Sequence, residues 1–80
     1  MSRLLSMKLS EVGSGVSFVI RSLVDVNNSV KKLLSMGITC GSFLSVTMQI
    51  GGIGTMVVFA GSKLIVSKDV ANLIYVDLVY

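Results

Sequence analysis

Four lysines offer the most specific chemistry in this chain. Lys31 and Lys32 close one end, and Lys63 the other, of a run spanning residues 33–62 that holds no charged side chain. Lys68 follows shortly after. Ammonium groups at the ends of an apolar block suit phosphate, either as lipid headgroups at a bilayer boundary or as a nucleic-acid backbone held without base readout. Acid–base chemistry has no comparable basis. The chain has no His, and its four carboxylates, Glu11, Asp25, Asp69 and Asp77, lack the pairing that general acid–base catalysis needs. Gly13-Ser14-Gly15 and Gly52-Ile53-Gly54 miss the third glycine of the dinucleotide fingerprint, and Gly61-Ser62-Lys63 is not a phosphate loop. Cys40 is the single cysteine, so an intrachain disulfide and a Cys/His metal cluster are both excluded. It reads as a small buried hydrophobe. No enzymatic activity is expected, and no cofactor or metal.

The composition sets what must position these groups. The 80 residues are 52% hydrophobic and 14% charged, with a net charge of +3 and a mean hydropathy of +0.87. An ordinary soluble domain is about 25% charged. A chain this short buries only about 60% of its unfolded surface when it folds alone. Bilayer, or further copies of the chain, is therefore expected to cover the rest. As a helix, residues 33–62 would reach about 45 Å, enough to cross a hydrocarbon core of about 30 Å. The amino-terminal apolar patch is broken by Lys8 and Glu11 and is too short for a signal sequence, so this end reads as mature.

Leu5, Leu9, Val12, Val16, Val19, Leu23, Val26, Val30 and Leu33 recur at alternating spacings of four and three, the mark of a helical stripe. The charged residues fall off that stripe, and Arg21 with Asp25 has the spacing of a helix-supporting pair. The reading is an all-α chain forming one unit over 1–80: an amphipathic helix over about 4–34, an apolar helix over about 35–61, and a basic turn with a carboxy-terminal helix over about 62–79. For residues 64–80 a terminal strand, favoured by Val, Ile and Tyr, competes with the helix. The glycines Gly37 and Gly41 form a GxxxG that Ser45 extends. With Gly51 and Gly54 they supply a small-residue face for close helix packing. Gly51-Gly52-Ile53-Gly54 is the expected bend. Gln49, just before it, should hydrogen-bond a neighbouring backbone or helix.

This layout of amphipathic helix, glycine-rich apolar helix, basic turn around Lys63 to Lys68 and last apolar helix resembles the pilins of conjugative and type IV secretion pili, in particular their archaeal relatives in DNA exchange. The resemblance covers the whole chain as architecture. It implies a membrane-resident subunit that assembles in many copies, with phospholipid or archaeal lipid, into a hollow extracellular filament for DNA transfer. Lys63 and Lys68 would then face single-stranded DNA in the lumen without sequence preference, and Lys31 and Lys32 the headgroups. Two alternatives stay open: a major coat or membrane protein of a filamentous or spindle-shaped virus, and another small membrane protein such as a holin. A rotor proteolipid is excluded, because no carboxylate lies between Asp25 and Asp69.

Overall fold

Six antiparallel strands stand where three helices were expected. The computed structural model describes residues 6–24 and 27–79. The elements run β1 (Ser6–Lys8), a 3-10 turn (Leu9–Glu11), β2 (Ser17–Leu23), α1 (Asn28–Ser35), β3 (Phe43–Ile50), β4 (Gly54–Phe59), β5 (Ser62–Ser67), α2 (Lys68–Ala71) and β6 (Ile74–Val79). One sheet holds all six strands in the order β1-β6-β2-β3-β4-β5. The all-α reading is therefore wrong, as are its helices over 4–34, 35–61 and 62–79. Among the described residues no helix is long and apolar enough to cross a membrane. The start of the first expected helix and the Asp25 end of the Arg21–Asp25 pair lie outside the described residues.

The period that wins is two, not three and four. Phe18 and Ile20 in β2, Leu44 and Val46 in β3, Val57 in β4, Val66 in β5, and Ile74 and Val76 in β6 are all buried on one face of the sheet. Val19, a member of the presumed helical stripe, lies between two of them and is half-buried on the other face. The charge-free run over 33–62 misled because both faces of its strands carry apolar side chains. Phe43, Met48 and Ile65 are exposed on the outward face, which masks the alternation that a half-solvated strand normally displays. Among the small residues, Gly37 and Gly41 have φ of 90° and 92°, conformations no helix interior contains. Ser45 lies in β3, where its hydroxyl meets that of Ser17 on β2 at 3.2 Å.

Glycine punctuates strands here. The turn between β3 and β4 is closed by the Ile53 N–H donating to the Ile50 carbonyl, with Gly52 at φ 78°, so the expected bend is a hairpin turn. Ala60 and Gly61, at φ 51° and 83°, form the two-residue connection from β4 to β5 that the right-handed strand twist favours.

Polar contacts curl the sheet around its core. The Gln49 amide on β3 donates to the carbonyls of Leu9 (3.0 Å) and Val12 (2.7 Å), which follow edge strand β1. Buried Thr55 on β4 donates its hydroxyl to the Gln49 side-chain oxygen Oε1 at 2.6 Å. The expected backbone partner for Gln49 is thus present. These bonds bring Leu9 and Val12 into the same core as Val30, Leu33, Val70 and Ala71 from the two helices.

Local sequence explains α1. Asn27 caps it by accepting from the Val30 N–H at 2.9 Å. Gly37 ends it: its N–H donates to the Leu34 carbonyl and that of Ile38 to the Leu33 carbonyl, both at 3.0 Å, the Schellman arrangement with an apolar Leu33–Ile38 pair at its base.

Candidate partner-binding groove

Helix α1 packs through Val30 and Leu33 while leaving a second stripe turned toward β5. Ser29, Lys32, Leu33 and Met36 fall at helical spacing along that stripe. Opposite them lie Leu64, Ile65, Val66 and Ser67 of β5, with Val70 of α2 at the end. Between the two walls is a groove of about 330 Å³, open to solvent. Its size falls near the lower end of the roughly 300–1,000 Å³ typical of small-molecule sites, room for a few apolar side chains. Met36 is 50% exposed and Ile65 51% exposed, large apolar surfaces left facing water beside the groove. Placed together at a groove they suit a contact site, and Met adapts its shape to what it meets.

The structure gathers the predicted basic residues only in part. Lys32 lines the groove, whereas its neighbour Lys31 does not. Lys63 is exposed on β5, on the same side of the strand as Ile65, and Lys68 begins α2 immediately after Ser67. The nearest acid in sequence is Asp69. The groove therefore has an apolar floor with Lys32 in its wall, while Lys63 is exposed on the outward side of β5 and Lys68 borders a second hollow.

The predicted packing glycines scatter. Gly37 sits just beyond α1, with the Phe59 ring 3.9 Å from the place a Cβ would occupy, and Gly41 lies in the following loop. Gly51 and Gly54 border a smaller hollow of about 200 Å³ with Ser10, Gln49, Thr55 and Lys68. Gly54 does make a close backbone approach, but between strands. Cys40 is exposed in the loop after α1, contrary to the buried hydrophobe expected of it. Among the described residues no group of three His, Cys, Asp or Glu comes together that could hold a metal ion.

Met36, Leu64 and Ile65, the residues that make the groove, were not singled out from sequence. Two signals pointed to it. Asn27 and Gly37 bracket a helix of about two turns in the manner of paired caps, and Ala60-Gly61 between apolar runs marks a hairpin whose second strand must be β5.

A family model described as the FeoA domain matches residues 7–78. Solved structures agree. A crystal structure of an iron uptake regulatory protein, FeoA, superposes with a TM-score of 0.83 at 24% identity, covering 94% of this chain and 100% of that one. The solution structure of iron(II) transport protein A from Clostridium thermocellum gives 0.81 at 27% identity over 91% of this chain, which spans 46% of that chain's length. FeoA from Stenotrophomonas maltophilia, solved with zinc and described as a procaryotic SH3 domain protein possibly acting as a ferrous iron transport activating factor, gives 0.75 at 22% identity over 89% of each chain. No curated protein matches the sequence. These matches overturn the pilin resemblance together with the viral coat and holin alternatives. The multi-copy lipid-bound filament, the DNA-conducting lumen and the passage from cell membrane to extracellular pilus are withdrawn with it.

Proposed function

The chain belongs to the FeoA domain family, and from that premise we propose that it is an accessory protein of ferrous iron transport, acting by docking on a protein of the transport machinery, without enzymatic activity or a resident cofactor of its own. The observation that carries this reading is the open apolar groove between α1 and β5. The name of the Clostridium thermocellum relative, an iron(II) transport protein, supports the process, and the groove supports the manner of acting. Donor chemistry points the same way. With no His and a single Cys, the chain offers few of the nitrogen and thiolate ligands that transition metals favour, so the ferrous ion is treated as cargo of the partner.

The test is ferrous iron uptake by cells lacking their own copy of the protein. The wild-type chain should restore uptake, and Met36→Glu, which puts a carboxylate beside the groove on an exposed helix position, should fold normally and fail to restore it. Full restoration by a folded Met36→Glu protein would reject docking through this groove.

A further inference from the structure

Edge strand β5 has an unused backbone row, and the register of its hairpin says which residues supply it. Phe59 pairs with Ser62, Val57 with Leu64 and Thr55 with Val66 across the two-residue Ala60-Gly61 turn. In such a hairpin the pair flanking the turn exchanges both backbone hydrogen bonds, and every second pair after it does the same. The backbone groups of Ser62, Leu64 and Val66 are therefore spent on β4. Those of Lys63 and Ile65 point the other way, off the edge of the sheet. Among the described residues, no backbone hydrogen bond outside the regular elements reaches either of them.

That edge is also one wall of the groove. Leu64 and Val66 face the core side and Lys63 and Ile65 the outward side, while α1 stands opposite with Lys32 and Met36. A row of free N–H and C=O groups is a template for another strand, and strand addition takes its affinity from the main chain and its specificity from alternate side chains. The lysines decide the kind of strand. A second copy of β5 would put another exposed Lys63 on the same edge, and like charges brought close across strands are destabilising. An acidic strand meets the opposite situation.

Resting on the docking reading above, we propose that the partner presents an extended protein segment of alternating apolar and acidic residues, which pairs with the free edge of β5. Its apolar side chains enter the groove against Leu33, Met36 and Leu64. Its carboxylates lie on the outward side, toward Lys63, and Lys32 adds positive charge at the groove wall.

The probe is a blocked peptide alternating leucine and glutamate, titrated into the isotope-labelled full chain and followed by amide hydrogen exchange. At saturation the amides of Lys63 and Ile65 should gain protection, and those of Leu64 and Val66, already bonded to β4, should change little. Ile65→Pro removes only an outward N–H, at the kind of edge position where proline is tolerated. It should weaken peptide binding about tenfold, the upper range for one net hydrogen bond. Lys63→Glu should weaken the same peptide and favour one alternating leucine and lysine, which keeps the test decisive if the proline variant does not fold. Absence of protection at Lys63 and Ile65, or wild-type affinity in both variants, would overturn strand addition. Loss of iron uptake in Met36→Glu without peptide-induced edge protection would keep the docking reading and reject the strand. Edge protection, with uptake indifferent to every groove and edge variant, would keep the strand and reject the role in transport.

Discussion

Across the β4–β5 ladder Gly54 runs so close to Val66 that a Cβ on the glycine would overlap the Val66 carbonyl oxygen. The next nearest atoms, the Ser67 Cα and the Val66 carbonyl carbon, are also backbone, so no flexible side chain can move aside. Gly54→Ala must part the two strands. We expect a loss of about 1–3 kcal/mol or more, as for other overpacked interiors. Gly51→Ala is the control, because nothing lies within 4 Å of a Cβ there and its φ is not in the left-handed region. That change should stay within about 0.5 kcal/mol. Thermal melts of the pair decide the matter, and equal midpoints would refute the close approach.

Ala60 occupies the left-handed region at φ 51°, where a Cβ is unfavourable. Asparagine or glycine is the preferred residue at this first position of the turn, and Gly61 already fills the second. Ala60→Asn should therefore stabilise the protein by about 1 kcal/mol. In urea the midpoint should rise with the slope unchanged, because the surface exposed on unfolding is the same. A lower midpoint would contradict the turn geometry.

Gln49 and Thr55 act as one unit. Gln49→Leu leaves the Leu9 and Val12 carbonyls without their side-chain donor and the Thr55 hydroxyl without its acceptor. An unsatisfied polar group in the interior costs about 1–3 kcal/mol. Thr55→Val leaves only the Gln49 side-chain Oε1 in want of a donor, and should cost less. Because the second change removes a partner already lost in the first, the double variant should be distinctly less destabilised than the sum of the two singles. Additive losses in chemical denaturation would show that the network is not coupled.

What the sequence made legible follows from these same residues. A break in the chain at Gly51 to Gly54 and the backbone bond of Gln49 were readable, because each depends on a local property of one or two residues, whereas Gly37, read as a helix-packing residue, instead ends α1. The fold class was not. In β2 the buried Phe18 and Ile20 alternate with half-buried Val19, and in β3 the outward Phe43 and Met48 are as apolar as the inward Leu44 and Val46. An apolar run of that kind fits helix and strand alike by periodicity. Two discriminating signals were present, the abundance of β-branched residues and the glycines spaced at strand length, and in a charge-free block their weight exceeds that of hydropathy. The groove was less legible still, since it requires α1 and β5, far apart in sequence, to be placed side by side.

The ion pair between Arg21 and Asp77, at 2.9 Å, joins β2 to β6 on the outward face. A bulge between Ile20 and Ser22 places Arg21 there. The arginine side chain is 54% exposed, so solvent screens the attraction. A double-mutant cycle with Arg21→Ala and Asp77→Ala should return a coupling of about 0.2–1 kcal/mol that shrinks as salt is added. A larger, salt-insensitive coupling would mean that the pair is held in a drier setting than its exposure indicates.

Lys31 and Lys32 provide the sharpest separation of recognition from stability. Consecutive residues on a helix point about 100° apart, and only Lys32 lines the groove. Both are exposed positions of α1, so Lys31→Gln and Lys32→Gln should each leave stability within about 0.5 kcal/mol of wild type. Binding should split them. The leucine–glutamate peptide should bind Lys32→Gln more weakly than wild type, with a shallower dependence on salt, because one cation of the groove wall beside the anionic peptide is gone. For Lys31→Gln both the affinity and the salt dependence should match wild type. If the two variants behave alike, the positive charge acts as a diffuse field of the whole helix, and the groove has no privileged lysine.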